Sequence, residues 1–280
     1  DLTRCDVLHP VVGERIESLA RLIESLDARA RIPQIEVAVS DAATALVFRH
    51  LDTLSEADEA RLAAFADAMD IHVWLQSGGP VTVRPFAPVV SVLGYRLPEQ
   101  YIVILFLPVY FTQVNQVINE QMVALVLGMR DLTGADHVLD LFCGLGNFTL
   151  PMARQAGAVT GVEGEEGLVS RARDNAVLNR LDNVTFHVAN LADDCRELPW
   201  AGGDFNKVLL DPPRSGAAGV LDLLGNIHPQ RIVYVSCHPG SLARDAGVLV
   251  NEKGYTLVST GVMDMFPHTA HVESIALFEG

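Results

Sequence analysis

The chain has 280 residues, of which 49% are hydrophobic, so a sizeable core and two domains are expected. Its 20 Lys and Arg residues against 35 Asp and Glu give a net charge of −15, which argues against a nucleic-acid-binding surface here. No apolar run is long enough to span a membrane, so no membrane partner is expected. The four cysteines (Cys5, Cys143, Cys195 and Cys237) are widely spaced, which favours a reducing, cytoplasmic compartment.

The first part of the chain, residues 1–108, has the pattern of a small α+β domain. Apolar residues recur at the helical period over 10–28, and Ser55 precedes a second helical segment as an N-cap. Strands are predicted at 34–40, 44–51, 72–77 and 101–107. No residue in this part points to chemistry of its own.

The remainder, residues 109–280, has the pattern of an α/β domain. A helix at 117–130 is followed by strands predicted at 138–142, 158–163, 184–190, 207–211, 231–236, 254–264 and 271–279. Apolar strands that alternate with helices indicate a mostly parallel, Rossmann-like sheet, and the last two strands suggest a C-terminal hairpin. Ligands bind such sheets beyond the carboxyl ends of the strands.

The first of these strands leads into a glycine turn, “DLFCGLGNF”, in which Gly144 and Gly146 let the backbone approach a ligand. Phe148 stands where a dinucleotide fingerprint needs its third glycine, which disfavours a nicotinamide-dependent oxidoreductase. Glu163 ends the second strand, where a carboxylate can accept from ribose hydroxyls, and Asn190 ends the third, near a base edge. The pattern predicts a nucleoside pocket such as S-adenosylmethionine needs; a ligand-free turn with a solvated glutamate is the alternative.

Three later strand ends carry chemically suited side chains. Asp211 precedes two prolines that fix the backbone, so it can hold a base edge or cap a helix at 216–225. Cys237 is either a nucleophile or a small buried side chain; a following helix, with Ser241 as a cap-like residue, would lower its pKa. Glu273 lies in an apolar strand, so it is paired or functional if buried, or else lies on the surface.

Taken together, these motifs resemble the bacterial RNA uracil-C5 methyltransferases. The matching segments are “FTQVN” (111–115), “DLFCGLGNFTLP” (140–151), “VEG” (162–164), “LLDPPRSGAAGV” (209–220), “VYVSCHP” with “LARD” (233–245) and “MFPHTAHVESIALF” (265–278). The resemblance covers about 105–280 and is nearest the branch that methylates 23S ribosomal RNA and carries an iron–sulfur cluster. Over 1–104 it rests mainly on “RCDVLHP”.

The resemblance implies methyl transfer from S-adenosylmethionine to C5 of a uridine in 23S rRNA, through a covalent bond from Cys237 to C6. It makes Glu273 the general base and places Asp211 between uracil and cofactor. The implied cofactor pocket comprises Gln113, Phe142, Gly144, Gly146, Asn147, Glu163, Asn190 and Asp211, and Phe111 is implied to bind substrate. The target base must leave its RNA stack. A tRNA or another rRNA site, or a non-catalytic binding module, are the alternatives.

Two departures from the family's pattern stand out. His238 replaces the usual Asn after the nucleophile, and it either pairs with the Cys237 thiolate or is a tolerated substitute. Cys5 matches the fourth ligand of a [4Fe–4S] cluster whose other three ligands are not in these residues, so the cluster is expected only in a longer protein. We expect a missing leading RNA-binding barrel, so RNA contacts here fall to Arg214 and Arg244 and this chain alone binds RNA weakly. No obligate protein partner is evident.

Overall fold

The computed structural model describes residues 2–280 and forms two compact units. Each unit is made of two segments of the chain. The first unit comprises the residues up to Arg96 together with Leu105–Thr112, and the second comprises Leu97–Ile104 and Gln113–Gly280. The predicted boundary after residue 108 therefore lies inside the second segment of the first unit. Within the described part of the chain, no helix is long and apolar enough to cross a membrane.

The first unit is built on a four-stranded sheet in the order β1-β2-β3-β4. Its strands are β1 (Gln34–Val39), β2 (Thr44–Arg49), β3 (His72–Gln76) and β4 (Arg84–Ala87). The helices of this unit are α1 (Pro10–Gly13), α2 (Ile16–Ser25) and α3 (Glu56–Met69). The predicted N-cap is confirmed, because the Ser55 hydroxyl accepts from the Asp58 N–H at 3.1 Å.

A hairpin of β5 (Leu93–Leu97) and β6 (Ile102–Phe106) follows, and the division between the units passes through it. The strand predicted at 101–107 is confirmed as β6. The strands β4 and β5 were not predicted from the sequence. Pro85 interrupts the first, and Gly94 breaks the apolar alternation of the second, so neither has the usual strand signal.

The second unit is built on a seven-stranded sheet in the order β12-β13-β11-β10-β7-β8-β9. Its strands are β7 (His137–Leu141), β8 (Ala158–Glu163), β9 (Val184–Val188), β10 (Lys207–Leu210), β11 (Arg231–Ser236), β12 (Thr256–Met263) and β13 (Glu273–Glu279). The five from β7 to β11 pair in parallel, whereas β13 is antiparallel to both β11 and β12. The predicted Rossmann-like sheet with a C-terminal hairpin is confirmed.

The helices of the second unit are α4 (Gln116–Arg130), α5 (Thr149–Ala153), α6 (Glu166–Leu178), α7 (Leu221–Ile227) and α8 (Pro239–Asn251). The strands β10 and β11 are buried almost throughout, with Tyr234 fully enclosed, which gives the sheet its apolar core. The helix predicted at 216–225 begins only at Leu221, and Val220 precedes it as its N-cap residue. The predicted alternative role of Asp211 as a cap of this helix is therefore wrong.

Candidate active site

The register of the sheet brings three predicted side chains to one edge. Leu210 is the last residue of β10, so Asp211 lies directly beyond the sheet's core. Ser236 of β11 pairs with Ser274 of β13, so Cys237 and Glu273 stand opposite each other one residue further on. Because β13 runs antiparallel, its first residue reaches the edge where the parallel strands end. Asp211, Cys237 and Glu273 thus converge.

The two carboxyl groups at this edge are hard to ionise. The Glu273 side chain is only 3% exposed. Burial raises the pKa of Glu273 to about 7. Burial also raises the pKa of Asp211 well above its usual range, and the charges of Glu273 and Asp140 add to this effect. Near neutral pH, Glu273 is therefore close to its own titration, as a general base requires.

The thiol of Cys237 is half-buried, and burial raises its pKa; the nearby charges of Glu273 and Asp211 act in the same direction. The positive charge of Arg214 and the backbone N–H of Cys237 oppose this shift without reversing it. The lowered pKa expected from the following helix is therefore wrong. The reason is that burial and the charges of Glu273 and Asp211, which come from other strands, outweigh any effect of the helix.

His238 is the N-cap of α8. Its Nδ1 accepts a hydrogen bond from the Ser241 N–H at 3.1 Å. Ser241 is not the cap; it lies in the first turn, and its hydroxyl donates to the His238 carbonyl at 2.9 Å. Asn is among the best N-caps, so a histidine that accepts from the same kind of backbone N–H substitutes for Asn in this role.

The glycine turn after β7 is fastened to the end of β8. Phe142, Gly144 and Gly146 all have positive φ, of 66°, 54° and 90°. The N–H of Phe142 donates to the Val162 carbonyl at 2.9 Å. These left-handed conformations make the turn tight, and two of them fall on glycines, which adopt them without strain.

Glu163 links this turn to the following one. Its Oε2 accepts from the Gly144 N–H at 3.1 Å, and its Oε1 accepts from the Gly164 N–H at 2.6 Å. The side chain is half-buried at the end of β8. An added Cβ at Gly144 would meet nothing within 4 Å, so open space lies next to this residue of the turn. Glu163 thus ties the glycine turn to the backbone that follows β8, beside this open space.

Asn147, the remaining predicted residue of this turn, is paired with Asn119, which was not predicted as a site residue. Each amide donates to the other: Asn119 Nδ2 to Asn147 Oδ1 at 3.0 Å, and Asn147 Nδ2 to Asn119 Oδ1 at 2.8 Å. Asn119 is buried in α4. Its signal in the sequence is a polar residue in the apolar stripe that continues through Met122 and Val123.

The other residues predicted to bind ligands are less closely grouped. Asn190 is exposed and folds into a local turn, where it accepts from the Ala192 N–H and donates to Asp193. Gln113 is half-buried before α4. Phe111 belongs to the first unit and is 72% exposed. The roles given to these three residues stay predictions.

Of the two arginines expected to contact RNA, Arg214 is exposed. Arg244 is engaged: Nη2 lies 2.7 Å from an Asp245 carboxylate oxygen and donates to the Ser215 carbonyl at 2.8 Å. Arg244 therefore has a structural role in addition to any contact with RNA.

Cys5 is half-buried and unbridged in the first unit, and its N–H donates to the Gly13 carbonyl at 3.0 Å. Over residues 2–280 there is no group of three or more His, Cys, Asp or Glu side chains that could hold a metal ion. A [4Fe–4S] cluster needs four protein ligands, which these residues do not supply, so a cluster role for Cys5 stays a prediction about a longer protein.

Comparison with known proteins decides the family. The family model described as tRNA (Uracil-5-)-methyltransferase matches residues 95–279. The chain belongs to this family. Curated relatives are named 23S rRNA (uracil(1939)-C(5))-methyltransferase RlmD: one from Xanthomonas campestris is 54% identical over 279 residues, and one from Methylococcus capsulatus is 54% identical over 280. The matches cover all of this chain, which spans 63% of the length of these relatives.

Solved structures agree with this assignment. The chain superposes on the Pyrococcus abyssi tRNA (uracil-54, C5)-methyltransferase in complex with S-adenosyl-L-homocysteine, with a TM-score of 0.78 and 25% identity. The match covers 99% of this chain and 68% of the other. M. jannaschii TYW2 in complex with AdoMet, at 17% identity and a TM-score of 0.54 over 74% of this chain and 93% of that one, shares the fold alone.

Proposed function

We propose that the protein transfers a methyl group from S-adenosylmethionine to C5 of a uridine in 23S rRNA, forming 5-methyluridine. The observation that carries this proposal is the convergence of Cys237, Glu273 and Asp211 at the sheet edge where Glu163 also accepts from the Gly144 N–H. The names of the relatives at 54% identity favour ribosomal RNA. A tRNA substrate is the second candidate, which the Pyrococcus structure favours at a lower identity of 25%.

The residues around the glycine turn fit the nucleoside part of the cofactor. Open space borders Gly144, and a carboxylate has about four acceptor sites, three of which Glu163 uses on the N–H groups of Gly144, Gly164 and Glu165. Glu163 therefore keeps acceptor capacity for a ribose hydroxyl. Bound S-adenosylmethionine supplies the methyl group.

The side chains of the site suit a covalent mechanism. The Cys237 thiol gives up its proton to water as its sulfur adds to C6 of uracil, and the electron pair of the C5–C6 double bond moves to make C5 an enolate carbon. After C5 has received the methyl group, Glu273 takes the C5 proton, and the C5–C6 double bond re-forms as the Cys237–C6 bond breaks. A pKa of about 7 suits Glu273 to this role near neutral pH.

Asp211 acts on the carbonyl that gains charge. Because burial and neighbouring carboxyls raise its pKa well above the usual range, Asp211 retains a proton to a higher pH than an ordinary carboxyl. A protonated carboxyl donates a hydrogen bond, and a uracil carbonyl oxygen becomes more basic when the thiolate adds. Asp211 thus stabilises the enolate while it positions the base.

The test uses the full-length protein with methyl-labelled S-adenosylmethionine and an unmodified 23S rRNA transcript, with a tRNA transcript in a parallel reaction. Digestion to nucleosides identifies the labelled product. The proposal predicts label in 5-methyluridine from 23S rRNA and little from tRNA. Label only in tRNA would replace the substrate, and label in a ribose or in another base would refute the function.

A further inference from the structure

The loop between β10 and α7 begins at Asp211. A buried carboxylate, which the proposed mechanism does not use, attaches this loop to helix α8. We propose that Asp245, together with Tyr234 and Arg244, is a positioning residue for this loop and sets where Asp211 and Arg214 stand relative to Cys237. This inference rests on the proposed function. We call these three side chains the Asp245 latch.

The latch centres on a carboxylate that is fully enclosed, with Asp245 0% exposed. Its Oδ2 accepts from the Ala217 N–H at 2.7 Å and from the Tyr234 hydroxyl at 2.7 Å. Its Oδ1 accepts from Arg244 Nε at 2.8 Å. Asp245 thereby connects the end of the loop to the buried strand β11 and to its own helix.

Arg244 adds a second attachment to the same loop. Its Nη2 lies 2.7 Å from Asp245 Oδ1 and donates to the Ser215 carbonyl at 2.8 Å. Gly216, between the two attached residues, has a φ of +85°, and an added Cβ there would lie 2.4 Å from Arg244 Nη2 and 2.6 Å from Asp245 Oδ2. The backbone therefore approaches the latch so closely that only glycine fits without rearrangement.

The position of this loop matters for the reactive thiol. The loop begins with Asp211, whose charge raises the pKa of Cys237, and continues to Arg214, whose charge lowers it. Cys237 lies between two latch residues in the chain, after Tyr234 on β11 and before Asp245 on α8. Asp245 therefore connects the loop to the two elements that flank Cys237. A displacement of the loop changes the electrostatic effect of Asp211 and Arg214 on the thiol.

A contribution to folding stability does not by itself explain why a charged carboxylate is buried at Asp245. A buried ion pair costs desolvation that its attraction often only balances, and packed apolar side chains of similar volume can be as stable. A hydrogen-bonded carboxylate, in contrast, fixes direction as well as distance, since each acceptor site serves one donor. The latch is suited to holding the loop in a defined geometry.

Asp245→Asn tests the latch in the full-length protein, with Asp136→Asn as the matched control. Asp136 is also a buried carboxylate, bonded to Lys207 at 3.0 Å and Asn206 at 2.7 Å, but it precedes β7 at the opposite edge of the sheet. Rates of methyl transfer are compared at saturating cofactor, together with binding of S-adenosylhomocysteine and thermal unfolding. We expect Asp245→Asn to lower kcat about 10- to 100-fold, as a small misplacement of reacting groups does, with binding of S-adenosylhomocysteine nearly unchanged.

The control should lose stability but keep kcat within about twofold of the wild type, because its edge is remote from the site. If both variants lose kcat in proportion to their loss of stability, or if Asp245→Asn keeps the wild-type kcat, the inference is wrong. Tyr234→Phe removes the hydroxyl that donates to Asp245 and accepts from the Ala217 N–H at 3.1 Å, but it leaves the bonds from Ala217 and Arg244 to the carboxylate. It should give an intermediate kcat and serves if Asp245→Asn does not fold.

A second readout needs no RNA and separates this inference from the proposed function. Alkylation of Cys237 by iodoacetamide, followed by peptide mass spectrometry over a pH series, reports the titration of the thiol. Freeing the loop changes the distances from Cys237 to the charges of Asp211 and Arg214, so the midpoint should shift in Asp245→Asn and stay unchanged in Asp136→Asn. An unchanged midpoint in Asp245→Asn would overturn the latch even if the wild type methylates RNA. A shifted midpoint would uphold it even if the wild type does not.

Discussion

Cys237 stands opposite Glu273, one residue beyond the Ser236–Ser274 pair that joins β11 to β13. A thiol and a carboxyl from strands of opposite direction therefore reach the same edge of the sheet. The antiparallel return of β13 is what makes this possible, because a parallel strand would place its first residue at the other edge. The C-terminal hairpin thus brings the Glu273 carboxyl to the edge where Cys237 lies.

Glu273→Gln should make the protein more stable and inactive at the same time. Burial raises the pKa of Glu273 to about 7 from an ordinary value of 4.5, so the unfolded chain ionises this group at lower pH than the folded protein. Ionisation of the buried Glu273 therefore lowers the free energy of unfolding. This loss is absent below pH 4.5, grows between pH 4.5 and 7, and is complete above pH 7.

The neutral amide avoids that cost. In urea unfolding at pH 8 we expect the free energy of unfolding of Glu273→Gln to exceed that of the wild type by about 3 kcal/mol, and at pH 4 by much less. The wild-type methylation rate should rise with pH through about 7, as Glu273, the proposed general base, ionises. Equal stability of the two proteins at pH 8 would mean that the carboxylate is compensated by a partner.

Glu163→Gln should weaken cofactor binding and leave the fold intact. The substitution replaces one acceptor oxygen by a donor next to the N–H groups of Gly144 and Gly164, and it removes a charged acceptor for a ribose hydroxyl. Hydrogen bonds to charged groups contribute about 1.5–3 kcal/mol, so the Kd for S-adenosylhomocysteine should rise about 10- to 100-fold in calorimetry. Glu165→Gln, on an exposed neighbour, is the control and should bind as the wild type does.

Asn119→Ala should loosen the glycine turn from its buried side. It removes both hydrogen bonds of the reciprocal amide pair with Asn147, and we expect a loss of about 1–3 kcal/mol in the free energy of unfolding. The affinity for S-adenosylhomocysteine should fall with it. Asn183→Ala, which removes donation to the carbonyls of Ala153 and Ala156, should cost similar stability at unchanged affinity. Equal affinities in both variants would show that the amide pair does not support the pocket.

His238→Asn should leave both stability and activity close to the wild type, whereas His238→Ala should lower the free energy of unfolding by about 1 kcal/mol, the usual value of an N-cap. Both expectations follow from the hydrogen bond between His238 Nδ1 and the Ser241 N–H. Ser55→Ala, at the N-cap of α3 in the first unit, should cost a similar amount. If His238→Asn instead lost activity at full stability, the imidazole would have a role at the thiol.

The strand ends of the second unit were predictable because apolar runs are long and regular there, so Glu163, Asp211 and Cys237 could be assigned to one sheet edge. The opposition of Cys237 and Glu273 was not predictable, since it depends on the register of β13. The cap role of His238 was hidden because Ser241, three residues later, is the commoner cap residue. The pKa of Cys237 was misjudged because the charges that raise it come from other strands.

A trapping experiment tests most directly whether Cys237 forms the covalent bond to the RNA base. Uracil with fluorine at C5 cannot lose a C5 proton, so the thioether at C6 persists after methyl transfer. The full-length protein is incubated with S-adenosylmethionine and rRNA containing 5-fluorouridine, and the RNA-linked peptide is identified by mass spectrometry. We predict a link at Cys237 that is abolished in Cys237→Ala and retained in Cys195→Ala. A link that survives Cys237→Ala, or one that maps to Cys5, Cys143 or Cys195, would contradict the account.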